Sequence, residues 1–217
     1  MSTPTKTTRA ERLRDASRQR RDQEKQDVRQ AILDAAAALF REHGYERFSL
    51  RQVAERIGYS PTTIYLYFTD KDDLLFTVAD VGFTRFGEQL VAAAGSTADP
   101  AERLAAMGRA YIDFGLQNPA YYQLMFMQRG DFLMAQRAGE CEPRIDSFSV
   151  LQQAVRDAIN AGAMRSGDAA PYADALWALV HGIVAMATTM PFFPAERAHA
   201  AATAGFALML DAMQPEK

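Results

Sequence analysis

Between Ser60 and Lys71 the chain gathers side chains suited to binding rather than to reaction. Thr62, Thr63, Tyr65 and Tyr67 offer hydroxyls and flat faces, chemistry that suits phosphates and base edges. Ile64 and Phe68, four residues apart, can anchor the same short segment to a core. Nothing there has the makings of an acid–base pair. The three histidines, His43, His181 and His199, have no ligand spacing, so no metal site is expected. The one cysteine, Cys141, lies between Glu140 and Glu142, whose charge raises a thiol pKa and counts against a nucleophile or a redox sensor. Neither a nucleophile elbow nor a phosphate-cradling glycine loop is present, so catalysis is not expected.

The elements that must position these groups are helices. Ile32, Ala35, Ala36, Leu39 and Phe40 recur at helical spacing, which predicts a helix over 27–43 closed by Gly44. Ser49 with Gln52 three residues on reads as a capping box, opening a helix with Val53, Ala54 and Ile57 inward and Gly58 at its end. Ser60 caps a third, very short helix with Pro61 at its first position, and Asp70 caps a fourth from Lys71 past Gln89. Two short helices joined through Gly58, Tyr59 and Ser60 form a helix-turn-helix, whose second helix can enter a DNA major groove.

Composition agrees with a helical chain. Alanine occurs 39 times against 16 valines and isoleucines, a balance that favours helix because β-branched residues lose rotamer freedom there. No uninterrupted apolar run approaches the roughly 18–20 residues of a membrane span, and the polar, basic start has no secretory h-region; a soluble, cytoplasmic protein without membrane association is expected. Charge is split. Residues 1–69 hold 13 Lys and Arg against 9 acids, and residues 70–217 hold 11 against 18, a basic end followed by an acidic remainder. Residues 1–25 carry eight of the cations and almost no large apolar side chain. They are expected to be a basic flexible arm, either a solvated tail or a partner to DNA phosphates.

The run from Ser49 to Leu75, SLRQVAERIGYSPTTIYLYFTDKDDLL, together with ILDAAAALFREHG at 32–44, resembles the TetR family of transcriptional regulators. Gly58, Tyr65, Phe68 and Lys71 occupy the family's turn glycine, its recognition-helix tyrosine and the aromatic and lysine behind it; Tyr67 stands where members often have histidine. The resemblance implies that Ser49, Arg51 and Lys71 contact phosphates, that Pro61, Thr62 and Thr63 face bases, and that Tyr65 and Tyr67 hold the sugar-phosphate backbone. It also implies an all-α fold: a three-helix DNA-binding domain over 26–75, joined by a linking helix to an effector-binding and dimerisation domain within 76–217. The expected partners are double-stranded DNA carrying a palindromic operator, a second copy of the chain and a small-molecule effector, and no cofactor is expected. The expected role is a repressor released by its effector; an activator, or a redox-responsive regulator, would use the same scaffold.

In the C-terminal part, Asp99 is expected to cap a helix from Pro100, and further helices are expected over 144–161, 171–189 and 195–213, with 130–143 as a connection or short helix. Met107, Tyr111, Phe114, Tyr122, Phe126 and Trp177 are of the types that line a compliant apolar pocket, and equally of the types that fill any helical core. Trp177 and His181 share a helix side, and Trp177-Ala-Leu-Val-His181-Gly182 resembles the tryptophan–histidine–glycine signature of a TetR C-terminal subgroup. They are expected to line the effector pocket, or else to form a buried hydrogen bond and a packed indole. Leu176, Val180, Ile183, Val184, Ala202, Phe206 and Met209 make apolar faces on the last two helices. Those faces are expected to form a two-fold contact, the alternative being a hairpin packed on its own core.

Overall fold

The computed structural model describes residues 9–127 and 146–214. Among the described residues the regular elements are helices alone: α1 (Arg9–Arg47), α2 (Leu50–Ile57), α3 (Pro61–Tyr65), α4 (Lys71–Ala94), α5 (Pro100–Gln117), α6 (Pro119–Phe126), α7 (Ser147–Asn160), α8 (Ala169–Thr189) and α9 (Ala195–Ala212). The chain divides into two compact units, Met1–Leu75 and Phe76–Lys217, the division falling within α4. The connection expected over 130–143, the helix start expected at Arg144, and Cys141 lie outside the described residues.

In the first unit, the caps are local hydrogen bonds. Ser49 Oγ accepts from the Gln52 amide at 3.3 Å and Ser60 Oγ from the Thr63 amide at 3.2 Å. Gly44 and Gly58 adopt φ of 67° and 74°, a region costly for a side chain; Gly58 ends α2, and Gly44 kinks α1 just before its end. Ile32, Leu33, Ala36, Leu39 and Phe40 of α1 close on Leu50, Val53 and Ala54 of α2 and Ile64 of α3. Ile57, expected inward, is only half-buried: it sits in the last turn of α2 with solvent beside it.

Helix α1 starts far ahead of the expected Asp27. Its stretch from Arg9 is rich in arginine, glutamine, glutamate and alanine and contains neither glycine nor proline. Propensity and pairs such as Arg18–Asp22 (4.0 Å) and Gln23–Asp27 (2.8 Å) carry the helix outward without core contact. Residues 9–25, expected as a flexible arm, are therefore helical in the structure, and none described between 14 and 30 is buried.

The second unit is built around α5, which packs on α6, α7, α8 and α9; α8 also packs on α7 and α9. Asp99 caps α5 by accepting from the amides of Ala101 (2.8 Å) and Glu102 (3.1 Å). Small residues permit the closest approaches: a Cβ on Gly108 would land on the Phe206 ring, and one on Gly115 on Val184. Val81 of α4, expected inward, is half-buried. Helix α8 is the one described helix long and apolar enough to cross a membrane by length and composition. It also carries Asp174 and His181 and buries Ala173, Leu176, Val180, Ile183 and Val184 in this core.

Candidate nucleic-acid interface and effector site

The short helix α3 is held from behind and open in front. Ile64 is fully buried and Phe68 nearly so, and this pair pins α3 onto α1 and α2. Pro61, Thr62 and Tyr65 are exposed, and Thr63 and Tyr67 are half-buried. Tyr65 keeps 59% of its surface open, a large exposure for an aromatic residue. The Thr63 hydroxyl shares a 3.0 Å hydrogen bond with Ser60 Oγ, which fixes its rotamer. Leu66, absent from the expected contacts, is 77% exposed and stands four residues after Thr62 on the same side. The i,i+4 rule that identifies Ile64 and Phe68 as anchors would have found it.

The flanking cations are not alike. Arg51 projects from α2 with its Nε 2.9 Å from Glu55 Oε1, and both side chains are mostly solvent-exposed. Ser49 spends its hydroxyl on the cap of α2, accepting from the Gln52 amide and donating to Gln52 Oε1 at 3.0 Å. Lys71 is half-buried. Its Nζ stands 3.9 Å from the centroid of the Tyr45 ring and donates to the Tyr45 carbonyl oxygen at 3.5 Å. The Tyr45 hydroxyl donates to Asp72 Oδ1 at 2.7 Å, and this bond, with desolvation, pushes the phenol up to about 12. Asp70 caps α4 from the amides of Asp72 and Asp73, both at 2.9 Å. Arg56 grips Glu42 with two bonds of 2.8 and 2.6 Å, fastening α2 to α1 and holding the Glu42 carboxyl below its usual range.

In the second unit, most of the residues expected to form a pocket come together, chiefly against one another. Tyr111 and Phe126 stack at 6.1 Å, Tyr122 and Phe126 lie at 5.1 Å, and Phe86 meets both Tyr111 and Phe114 at 5.1 Å. Met107 and Phe114 are buried within this packing. His181 Nδ1 is 2.7 Å from the Tyr122 hydroxyl and 3.1 Å from that of Tyr111. The Trp177 ring lies tilted at 5.3 Å from the same imidazole and keeps 38% of its surface exposed. Burial lowers the His181 pKa, which favours the neutral ring, pushes Tyr122 up to about 12 and raises Tyr111. His181 is thus half-buried and hydrogen-bonded, with a partly exposed indole beside it.

An open groove of about 550 Å³ lies on other residues, among them Arg103, Asp146, Ser149, Val150, Gln153 and Asp157. It is more polar than the expected lining. Arg103 Nη1 is 3.4 Å from Asp157 Oδ2, and Arg103 Nε is buried without a partner among the described residues.

The expected two-fold contact residues are a correction in position. Leu176, Val180, Ile183, Val184, Ala202 and Phe206 are buried within the single chain, because these sides of α8 and α9 face α5 and each other; Met209 is half-buried. The outward sides of the same helices carry Ala178, Met186, Ala204, Ala207 and Leu208, the last 72% exposed, with open space beside Gly182.

Residues 32–78 match the family described as bacterial regulatory proteins, tetR family, and residues 104–213 match the tetracyclin repressor-like C-terminal domain. Several solved structures share the fold. A protein of unknown function from Rhodococcus sp. RHA1 is 25% identical, with a TM-score of 0.68 over 86% of this chain and 95% of that one. The TetR-family transcriptional regulator PfmR from Thermus thermophilus is 23% identical, with a TM-score of 0.66 over 86% and 96%. The regulator FadR from Bacillus subtilis, solved with stearoyl-CoA, is 17% identical, with a TM-score of 0.71 over 85% and 99%.

Proposed function

This chain belongs to the TetR family of bacterial regulatory proteins, and on that premise we propose that it is a repressor that binds a palindromic operator as a homodimer and is released by a small apolar or aromatic effector. The observation that carries the reading is α3: Ile64 and Phe68 are buried behind it while Thr62 and Tyr65 stand open in front. A helix mounted in this way can lie in a major groove with its front side chains at base edges. In this reading Pro61, Thr62 and Thr63 read bases. Ser49, Arg51, Tyr65, Tyr67 and Lys71 hold phosphates and sugars, fixing register without sequence choice.

Two recognition helices read two half-sites about one helical turn apart, or a multiple of it, when two copies are related by a two-fold axis. The outward sides of α8 and α9, with Met186, Ala204 and Leu208, are the surfaces assigned to that pairing. Leu208→Glu would place a charge in this contact and is expected to lower the sedimentation mass toward one chain.

The effector reading rests on the cluster of Tyr111, Tyr122, Phe126, Trp177 and His181, with one rim open at Trp177. A relative of the same fold solved with stearoyl-CoA is consistent with an apolar ligand, in that case a long acyl chain. A ligand that takes operator occupancy from 99:1 to 1:99 must favour the DNA-incompetent arrangement by about 10⁴-fold.

The test is fluorescence anisotropy of the full chain at about 150 mM salt, with its own upstream intergenic DNA against a scrambled duplex, and a random-sequence selection if that fragment fails. Specific regulators favour their site by about 10³–10⁷. Equal binding to all duplexes would sink the proposal. Candidate effectors are then titrated into the complex: release marks a repressor, and tightening marks an activator.

A further inference from the structure

Ahead of Ile32, helix α1 continues outward as a stretch with no buried residue from Arg14 to Gln30. Of the six cations along it, five form a series apart from Arg20: Arg14, Arg18, Arg21, Lys25 and Arg29. They follow one another at intervals of three or four residues. At 3.6 residues per turn they fall within about 80° of arc, a single stripe about 22 Å long. The opposite side carries Gln19, Arg20, Gln23, Asp27, Gln30 and Asp34, with Gln23 donating to Asp27 at 2.8 Å and Gln30 to Asp34 at 2.9 Å. Only the exposed pair Arg18–Asp22, at 4.0 Å, engages the stripe with an acid among these contacts.

The stripe is in phase with the buried side of α1. Ile32, Ala36 and Leu39 lie on the same line, so the cations extend the face that α1 turns toward α2. Arg29 marks the join: its guanidinium carbon is 5.5 Å from the centroid of Phe68, the anchor of the exposed helix α3.

We infer that this outer part of α1 is a rigid phosphate-binding arm, which lays its cationic stripe along the DNA backbone beyond the base pairs that α3 reads. The inference rests on the DNA-binding reading above and adds a contact surface to it. Duplex DNA presents about one negative charge per 1.7 Å of axis, a partner that complements a row of cations about 22 Å long and is continuous with the α3 surface. Backbone contacts of this kind strengthen binding to all sequences and position the reading helix without choosing bases. A pre-formed helix loses less freedom on docking than a loose basic tail of equal charge. Its contacts depend on phase: a turn of the arm about its own axis takes them away while leaving composition and charge unchanged.

That dependence is the test. Full-length protein is titrated with a selected duplex across a range of salt, and the slope of log K against log salt is compared among three forms. The first is wild type. In the second, Arg14→Gln, Arg18→Gln, Arg21→Gln and Lys25→Gln are combined. In the third, one alanine inserted between Asp27 and Val28 rotates the arm by about 100°, which moves the stripe aside without carrying Arg20 into its place, and leaves Arg29 where it is. The slope is expected to flatten by about 0.9 for each phosphate that is no longer neutralised, and to a similar degree in both variants. Thermal midpoints should not move, because the altered residues touch no core. Unchanged slopes in both variants, with wild type binding normally, would overturn the arm alone. Flattening by neutralisation but not by rotation would overturn the rigid helix in favour of a loose basic tail. A wild-type chain that binds no duplex would overturn the parent reading, and the arm with it.

Discussion

The ammonium of Lys71 rests over the ring of Tyr45, 3.9 Å from its centroid, and donates to the carbonyl oxygen of the same residue. The tyrosine is fixed in turn, its hydroxyl donating to Asp72 in the first turn of α4. The lysine expected to contact a phosphate is held at one spot by a residue 26 positions away. Ring and carbonyl use one side of the ammonium and leave donors for an anion on the other.

Removing this cation should weaken DNA binding evenly. Lys71→Met is expected to lower affinity for every duplex by a similar factor and to flatten the salt slope by about 0.9, as read by anisotropy. Tyr45→Phe keeps the ring under the ammonium and removes the bond to Asp72. It is expected to leave the salt slope alone and to cost about 1 kcal/mol of stability in urea.

Tyr65 is exposed in front of α3 and assigned to the backbone. Tyr65→Ala is expected to weaken binding about fivefold, the worth of one net hydrogen bond of about 1 kcal/mol. The loss should be the same on the selected site and on single-base variants of it. A loss confined to one base pair would move Tyr65 into the group that reads sequence.

Two glycines on packed helices should answer oppositely to alanine. At Gly108 a methyl would collide with the Phe206 ring, so Gly108→Ala is expected to destabilise by about 1–3 kcal/mol. At Gly182 an added methyl would meet no described atom beyond the backbone of its own helix turns, so alanine there should stabilise the folded chain by up to about 1 kcal/mol through helix propensity. Urea midpoints measure both. If Gly182→Ala weakens self-association instead, the second copy sits on this side of α8.

His181 predicts a pH dependence with a definite sign. Burial depresses its folded pKa below the ordinary 6.5, so between the two values the unfolded chain binds more protons. The stability held by the neutral ring is whole above about 6.5 and falls as pH drops through that value toward the folded one. Urea midpoints taken from about pH 7.5 to 5 should decline in wild type, and decline less in His181→Gln. Parallel curves would remove His181 as the titrating group.

The residue sequence by itself determined the caps and therefore the order of the helices. Ser49, Ser60, Asp70 and Asp99 each bond to amides two or three residues on, and such bonds depend on nothing distant. It also determined the mounting of α3, since Ile64 and Phe68 on one side of a short helix leave Thr62 and Tyr65 on another. The outer half of α1 was harder to read. Its helix comes from propensity and local pairs, without the apolar rhythm by which a packed helix is recognised, so it looked like a tail.

Tertiary structure alone decided which side of an apolar helix is the inside. Helices α8 and α9 carry apolar residues around much of their circumference, and only the position of α5, with Gly108 and Gly115 admitting Phe206 and Val184, turned Leu176, Val180 and Ala202 into core and left Leu208 outside. It also joined Tyr111 and Tyr122 to His181 across 70 and 59 residues, and Lys71 to Tyr45. Local bonds are written in neighbouring residues. The choice between equally apolar faces, and contacts between distant side chains, are settled by packing the whole core at once.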